Sequence, residues 1–318
     1  MANVLIVHAH HEPGSFNGAL TRRATDVLTR EGHEVVISDL YAMGFNPVSD
    51  RRNFTTVKDA SYLKQQREES HASAVNGFAD DIAREMEKVE RCDAMIFQFP
   101  LWWFGMPAIL KGWVDRVFAS GRVYGGGKWY EHGAFKGKRA MISMTTGGPE
   151  SMFSGWGLDP SLDSILRPIQ HGIFWFTGFQ PLEPFIAWGA GRATPEQRAA
   201  YLDAYEGRLK RLFTDPAIRY THLSDCDEQF NDLRPRFVAA WTWHGPDSEE
   251  VNRLVVEERA HLERWRRDGI LLDRFIASDQ ESGWLVITAS GEAAVHELLA
   301  TLPLRRWLQF KVTRIAHA

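Results

Sequence analysis

Apolar residues in the first two thirds of the chain fall into short continuous runs that alternate with helical patterns of apolar and polar positions. Five strands are predicted, over VLIVHA (4–9), HEVVISDL (33–40), DAMIFQF (93–99), RAMISMTT (139–146) and LEPFIAW (182–188). Helices are predicted over about 17–31, 75–90, 107–119, 161–177 and 194–213. Because continuous apolar strands between helices are typical of a parallel sheet covered on both faces, residues 1–213 predict an α/β domain.

Two stretches depart from this alternation. Residues 44–74 are polar and irregular, which is too long for an ordinary connection and indicates a functional segment. Residues 214–235 are polar with prolines near both ends, and we expect them to be a linker. The remaining residues, 236–318, follow the order strand, helix, strand, strand, helix, strand, which predicts a ferredoxin-like α+β domain.

Composition and charge narrow the class of protein. The chain has 37 basic and 41 acidic residues, a net charge of −4, which argues against nucleic-acid and membrane-surface partners. The beginning of the chain has the pattern of a first strand rather than a signal peptide, and no apolar segment approaches the ~18 residues of a transmembrane helix. The two cysteines, Cys92 and Cys226, form no CxxC motif, so we expect a reducing, cytoplasmic location.

The loop after the first strand, HAHHEPGSFNGAL, places Gly14, Ser15 and Asn17 just before a helix. The free N–H groups of a helix N-terminus favour an anion such as a phosphate, although serine and asparagine there also serve as simple N-caps. His8 and His10 share a strand face without a visible third ligand, so no metal site is predicted.

The loops after the third and fourth strands complete the candidate site, because ligands bind parallel sheets at the carboxyl ends of the strands. Residues 97–105, FQFPLWWFG, crowd aromatic side chains where polar turn residues are usual. This loop is suited to a flat ligand, or else to a contact with the next helix or with a second subunit. Thr145, Thr146, Gly147 and Gly148 let backbone amides approach a ligand closely. Together the three loops fit a flavin.

Residues 3–213 resemble the NAD(P)H:quinone oxidoreductase family of flavodoxin-like enzymes, which bind FAD and usually work as dimers. The matching stretches are SFN (15–17), DLYAMGFNP (39–47), FQFPLWWFGMPAILKGW (97–113), TTGG (145–148), PIQHGI (168–173) and GFQPLEP (178–184). The resemblance implies FAD contacts at His10, Ser15, Phe16, Asn17, Gln65 (or Gln66), Pro100, Leu101, Trp102, Trp103, Phe104, Thr145, Thr146, Gly147, Gly148 and Arg198.

The resemblance also implies a substrate site across a dimer interface, with residues 44–74 covering part of the FAD. Its apolar walls would be Trp103, Phe104, Tyr124, Trp129, Phe174 and Phe176. The catalytic positions would be Gly148 and the two positions where the family commonly has a tyrosine and, in some members, a histidine. Here these positions hold Phe153, which has no proton to donate, and Asp159, whose charge would oppose a nearby flavin anion.

Residues 292–304, EAAVHELLATLPL, and the preceding RWRRDG resemble muconolactone isomerase and its relatives, small domains whose sheets pair into dimeric α+β barrels. His244, His261 and His296 are candidate acid–base groups there, or ordinary surface and interface histidines.

These resemblances imply an FAD-dependent reductase that takes hydride from NADH or NADPH and passes it to a quinone or similar flat electrophile, in a ping-pong reaction and as a homodimer. Two alternatives stay open. In the first, the protein is a bifunctional enzyme of aromatic catabolism whose C-terminal domain isomerises or binds a substrate. In the second, it is a non-catalytic flavin-binding redox sensor.

Overall fold

A computed structural model describes residues 1–155, 158–226 and 234–315 of the chain. The chain divides into two compact units, Met1–Ala217 and Ile218–Ala318. The expected limits of 1–213 and 236–318 stay a prediction, and residues 227–233 of the expected linker lie outside the described residues.

A parallel sheet forms the centre of the first unit. Its strands are β1 (Asn3–His8), β2 (Glu34–Asp39), β3 (Ala94–Pro100), β4 (Arg139–Thr145), β5 (Gln180–Pro181) and β6 (Phe185–Ala187). The strand order is β2-β1-β3-β4-β5, and β6 also pairs with β4. This order confirms the predicted flavodoxin-like sheet. The predicted fifth strand, 182–188, contains only β6, and β5 lies just before it. Pro181 in β5 and Pro184 in the gap before β6 cannot donate ladder hydrogen bonds.

Six helices cover the sheet in this unit: α1 (Phe16–Arg30), α2 (Gln65–Val75), α3 (Asp80–Arg91), α4 (Ala108–Val117), α5 (Leu162–Ile169) and α6 (Pro195–Lys210). Helix α6 begins with the capping box of Thr194 and Gln197. The helix predicted over 75–90 begins at Asp80, and all of α2 except Val75 lies inside the segment expected to be irregular. A wider π-helical turn, Gln170–Trp175, continues α5 after Pro168.

Both faces of the sheet are buried, which explains its continuous apolar strands. Along β1, Val4 and Ile6 pack with the cluster that includes residues of α1 and α6, while Leu5 and Val7 pack with the cluster on the other face. The carboxyl ends of β1, β3 and β4 therefore carry their loops to one edge of the sheet.

The segment between β2 and α2 is held by buried charged side chains. The Arg116 guanidinium donates to the Asn53 side chain at 2.8 Å and to the Asn46 carbonyl at 2.7 Å. The Glu68 carboxylate accepts from the backbone N–H groups of Lys58 and Asp59 at 2.8 and 2.7 Å. This segment is thus fixed to the body of the unit.

The second unit contains β7 (Arg236–Trp243), α7 (Glu249–Arg267), β8 (Leu271–Ile276), β9 (Ser282–Thr288), α8 (Glu292–Ala300) and β10 (Leu308–Ile315). Its antiparallel sheet has the order β10-β7-β9-β8, which confirms the predicted ferredoxin-like arrangement. Both helices pack with the face that carries Phe237 and Leu285. On the opposite face Phe275 pairs with Trp284, whose side chain is 42% exposed.

Candidate functional site

The loop between β1 and α1 closes on itself through short-range hydrogen bonds. The Ser15 hydroxyl accepts from the Gly18 N–H at 3.1 Å, and Ser15 is the N-cap of α1. This was one of the two roles expected for the loop, the other being an anion site. The Glu12 carboxylate accepts from the Gly14 N–H at 2.7 Å. Phe16 begins the helix, and its ring lies 6.3 Å from that of Tyr201. The loop is therefore a formed cap at the positive end of α1.

Asn17 belongs to a buried chain of hydrogen bonds beneath this loop. The Gln98 amide donates to the Asn17 oxygen at 2.9 Å, and the Asn17 amide donates to the Thr145 hydroxyl at 3.0 Å. The remaining Gln98 oxygen is buried and has no partner among the residues described. Since the Thr145 oxygen accepts from Asn17, its own O–H is left to donate to a ligand at the strand ends.

The aromatic loop after β3 is a tight turn with an unusual backbone. Trp102 and Gly105 exchange backbone hydrogen bonds of 3.1 and 3.0 Å. Between them Trp103 and Phe104 have φ angles of 50° and 55°, the left-handed region, which costs a residue with a side chain roughly 1–2 kcal/mol. The Trp103 side chain is 98% exposed. A strained turn that presents a bare indole is typical of a ligand or partner contact.

His10 lies between the first loop and this turn. Its ring stacks on His11 with centroids 4.7 Å apart, and it lies 6.0 Å from the Trp102 ring. Burial, and then the neighbouring His11, lower the pKa of His10 below its ordinary value of 6.5. Because its Nδ1 accepts from the Glu12 N–H at 3.0 Å, the proton of the neutral ring resides on Nε2, which is then a donor.

The loop after β4 is pinned to the residues that follow β6. The Thr146 hydroxyl donates to the Gly148 carbonyl at 2.7 Å, and that carbonyl also accepts from the Gly189 N–H at 3.0 Å. A side chain built on Gly147 meets no atom within 4 Å, so the space beside this backbone is open. One built on Gly148 meets the Met152 sulfur at 2.8 Å. The Cβ side of Gly147 is thus open to a ligand, whereas that of Gly148 is covered by Met152.

The two positions that depart from the family pattern lie close to this loop. Phe153 is buried, 5.6 Å from the Trp188 ring, and its nearest ring carbon lies 3.3 Å from a side chain built on Gly148. Asp159 is half-buried, and its N–H donates to the Met152 carbonyl at 3.1 Å. The site therefore has an apolar ring where a phenol was the family expectation.

A second group of expected site residues surrounds a cavity of about 720 Å³. Gln65, Tyr124 and Phe176 line it, and the Tyr124 ring lies 6.2 Å from that of Phe176. None of the described residues at the ends of β1, β3 and β4 lines this cavity. The expected cofactor and substrate residues thus form two separate groups within one subunit.

Sequence reasoning missed two residues of this second group. Glu69 is buried under the cavity, and Tyr130, with a φ of 53°, packs edge-on against Phe176 with centroids 5.5 Å apart. Nothing in the sequence distinguishes Glu69 from an exposed helical glutamate. The adjacent aromatic residues Trp129 and Tyr130 were the available signal that Tyr130 belongs to this apolar wall.

The other expected residues take different positions. Phe174 is fully buried, 4.9 Å from the Phe97 ring, so it is a core residue here, a correction to its expected place on an accessible wall. Trp129 is half-buried and follows Gly125–Gly127, all three with left-handed φ angles. Arg198 is exposed in the first turn of α6.

The three candidate histidines of the second unit each contact a different residue. His261 contacts Thr301 at 3.1 Å, His296 lies 3.9 Å from Glu292, and His244 contacts Thr242 at 3.1 Å. Among the residues described, no group of three or more side chains is arranged to hold a metal ion. No helix in the described part of the chain is long and apolar enough to cross a membrane.

Comparisons with known proteins agree with this geometry. Residues 2–211 match the family model of the flavodoxin-like fold, and residues 240–317 match that of muconolactone delta-isomerase. The chain is 41% identical over 231 residues to NAD(P)H dehydrogenase [quinone] 1 of Cavia porcellus, covering 72% of this chain and 84% of that one. It is 40% identical over 219 residues to ribosyldihydronicotinamide dehydrogenase [quinone] of Homo sapiens, covering 69% and 95%. A crystal structure of a candidate quinone reductase from Klebsiella pneumoniae superposes with a TM-score of 0.72 at 36% identity, covering 74% of this chain and 95% of that one.

Proposed function

This chain belongs to the family of flavodoxin-like NAD(P)H:quinone oxidoreductases, and from that premise we propose that it is an FAD-dependent reductase of quinones or similar flat electrophiles. A bound flavin would supply a two-electron carrier for hydride between NADH or NADPH and the acceptor. The observation that carries the proposal is the strained turn of Trp103 and Phe104 at the carboxyl edge of the sheet.

The residues at the strand ends fit a flavin in three ways. The Thr145 hydroxyl is left as a donor, the backbone at Gly147 is open to a ligand, and the exposed Trp103 offers a flat apolar surface. In the proposal Ser15, Phe16, Asn17 and Arg198 lie along the phosphate and adenine half of FAD, and His10 donates from Nε2. Residues Pro100–Phe104 and Thr145–Gly148 hold the ring system. The chain's own contribution is to align the flat partners and exclude water.

The proposed active unit is a homodimer. The Trp103 side chain is 98% exposed, so no described residue covers it. The cavity of Tyr124 and Phe176 contains no described residue from the ends of β1, β3 and β4. If the cavity of one subunit faces the turn of its partner, each site gains both parts. Trp103, Phe104, Tyr124, Trp129 and Phe176 then line one substrate position.

One shared substrate position requires the nicotinamide to leave before the acceptor enters.

Phe153 offers no proton at the position where relatives of this kind were expected to have a phenol. In the proposal, hydride transfer at this position therefore depends on the alignment of the stacked rings. The preferred acceptor is one that needs no proton from a phenol at position 153.

Initial-rate kinetics test the proposal. With NADPH and menadione both varied, double-reciprocal plots should give parallel lines, because the two substrates exclude each other. Intersecting lines would contradict the shared position. The flavin released by denaturation should be FAD, and FMN in its place would contradict the proposed role of residues 44–74.

The proposed role of the second unit is to stabilise the dimer. Its candidate histidines His244, His261 and His296 each contact a different residue, which does not favour an isomerase site. Phe275 and Trp284, in contrast, leave an apolar patch on one face of its sheet. Both cysteines are free thiols, in keeping with the proposed reducing cytoplasmic location.

A further inference from the structure

The carboxylate of Glu69 is buried beneath the cavity and accepts three hydrogen bonds. It accepts from the Ser120 N–H at 2.7 Å, from the Gln65 amide at 2.8 Å and from the Tyr124 hydroxyl at 3.3 Å. Because a carboxylate only accepts, the phenol proton of Tyr124 points at Glu69. The lone pairs of the Tyr124 oxygen therefore accept: one hydrogen bond comes from the Gln66 side chain, which also lines the cavity, and the other lone pair remains for a ligand.

We propose that Glu69 is a specificity-determining positioning residue, which makes the Tyr124 oxygen a hydrogen-bond acceptor toward the bound substrate. The inference rests on the proposed function, in which Tyr124 is a wall of the substrate position. An accepting phenol favours ligands that donate, such as the carboxamide of a reduced nicotinamide or the hydroxyl of a hydroquinone product. It disfavours a quinone carbonyl, which itself only accepts.

Contacts around Glu69 hold this arrangement in place. The Ser70 hydroxyl lies 3.1 Å from the Ser120 hydroxyl, and Ser73 donates to the Ser120 carbonyl at 2.9 Å. The turn that leads to Tyr124 is therefore clamped to α2. Burial raises the pKa of Tyr124, and the charge of Glu69 raises it further, so the phenol keeps its proton.

The variant Glu69→Met tests the inference because it removes the acceptor of the Tyr124 proton. Ser120 and Tyr124 both donate to the same carboxylate oxygen, Oε2, so a side chain with no acceptor there frees the phenol proton for the cavity. We expect KM for NADPH to rise and KM for menadione to fall, changing their ratio by about tenfold. Structural damage alone raises both values, so a parallel rise, or no change, would overturn the inference.

Three variants make the result specific. Glu85→Met removes another buried carboxylate, which accepts from the Trp113 indole at 2.8 Å outside the site, and should leave the KM ratio within about twofold. In a Tyr124→Phe background, Glu69→Met should no longer change the ratio. If Glu69→Met does not fold, Glu69→Asp withdraws the carboxylate from Tyr124, and the ratio should shift in the same direction.

The failure of the inference is distinguishable from that of the proposed function. An unaltered protein that shows no turnover contradicts the function. The Glu69 contact is then tested by ultraviolet titration of tyrosinate, with Tyr124→Phe to assign the signal. The pKa of Tyr124 should be lower in Glu69→Met, and an unchanged value would overturn the assignment of Glu69.

Discussion

The side-chain amide of Asn17 donates to the Thr145 hydroxyl at 3.0 Å, joining the first turn of α1 to the last residue of β4. Gln98 of β3 donates in turn to Asn17. Three elements that are distant in sequence are thus connected at the edge where the cofactor is proposed to bind.

Asn17→Ala should therefore affect both stability and cofactor binding. Removing the amide leaves Gln98 and Thr145 buried without this partner, so the free energy of unfolding should fall by about 2 kcal/mol. The affinity for FAD, measured by fluorescence quenching, should fall at least about tenfold. Thr21 lies on the same helix as Asn17, and Thr21→Ala breaks its buried 2.8 Å contact with His8 of β1. This variant should lower stability but leave the affinity for FAD unchanged. Equal FAD affinities in both variants would contradict the role of Asn17.

Trp103→Asn should stabilise the protein while weakening flavin binding. Asparagine tolerates the left-handed φ that strains Trp103, and the exposed indole gives up little buried area, so the free energy of unfolding should rise by about 1 kcal/mol. Loss of the flat surface should weaken FAD binding or raise KM for both substrates. Gln280→Asn, at an exposed position with a φ of 61° in the second unit, is the matched control and should leave the flavin unaffected. A Trp103 variant with unchanged KM values and FAD affinity would refute the stacking role.

Stability should decrease in mild acid because of buried histidines. Burial lowers the pKa of His8 below 6.5, with Asp39 partly opposing the shift, so the unfolded chain binds a proton before the folded protein does. The contribution of His8 is complete above about pH 6.5 and is lost as the pH falls from there toward the lower pKa of the folded state. Urea unfolding at about pH 7.5 and about pH 5.5 should show this decrease. His8→Gln should reduce it, and an identical pH dependence in the variant would exclude His8 as a source.

Trp284→Glu should shift the protein from dimer toward monomer. The variant places a charge beside Phe275 on the uncovered face of the second sheet, where a second copy is proposed to pack. Sedimentation velocity at several protein concentrations measures the change. A variant that remains as dimeric as the unaltered protein would show that this face does not hold the subunits together.

Strands and caps were the most predictable features of this chain. Strands β1, β3 and β4 are buried on both faces, so their apolar runs are continuous in the sequence. The N-cap at Thr194 follows from local chemistry alone. Helix α2 was missed because its buried positions include Glu68 and Glu69, which give no apolar period.

The site was predictable as a set of loops but not as a geometry. The ends of parallel strands meet at one edge, which brings the loops together without knowledge of any side chain. The rotation of the π-helical turn buries Phe174 and exposes part of Phe176, and no local pattern separates two phenylalanines two residues apart. The hydrogen bonds of Glu69 likewise depend on the packing of α2 against the turn at Ser120.

Anaerobic stopped-flow spectroscopy of the flavin is the most direct test of the central claim, that a flavin at the Trp103 turn carries electrons from a nicotinamide to a quinone. NADPH or NADH should bleach the visible flavin absorption of the FAD-loaded protein, and menadione added afterwards should restore it. Bound FAD whose spectrum neither nicotinamide changes would rule out this electron transfer.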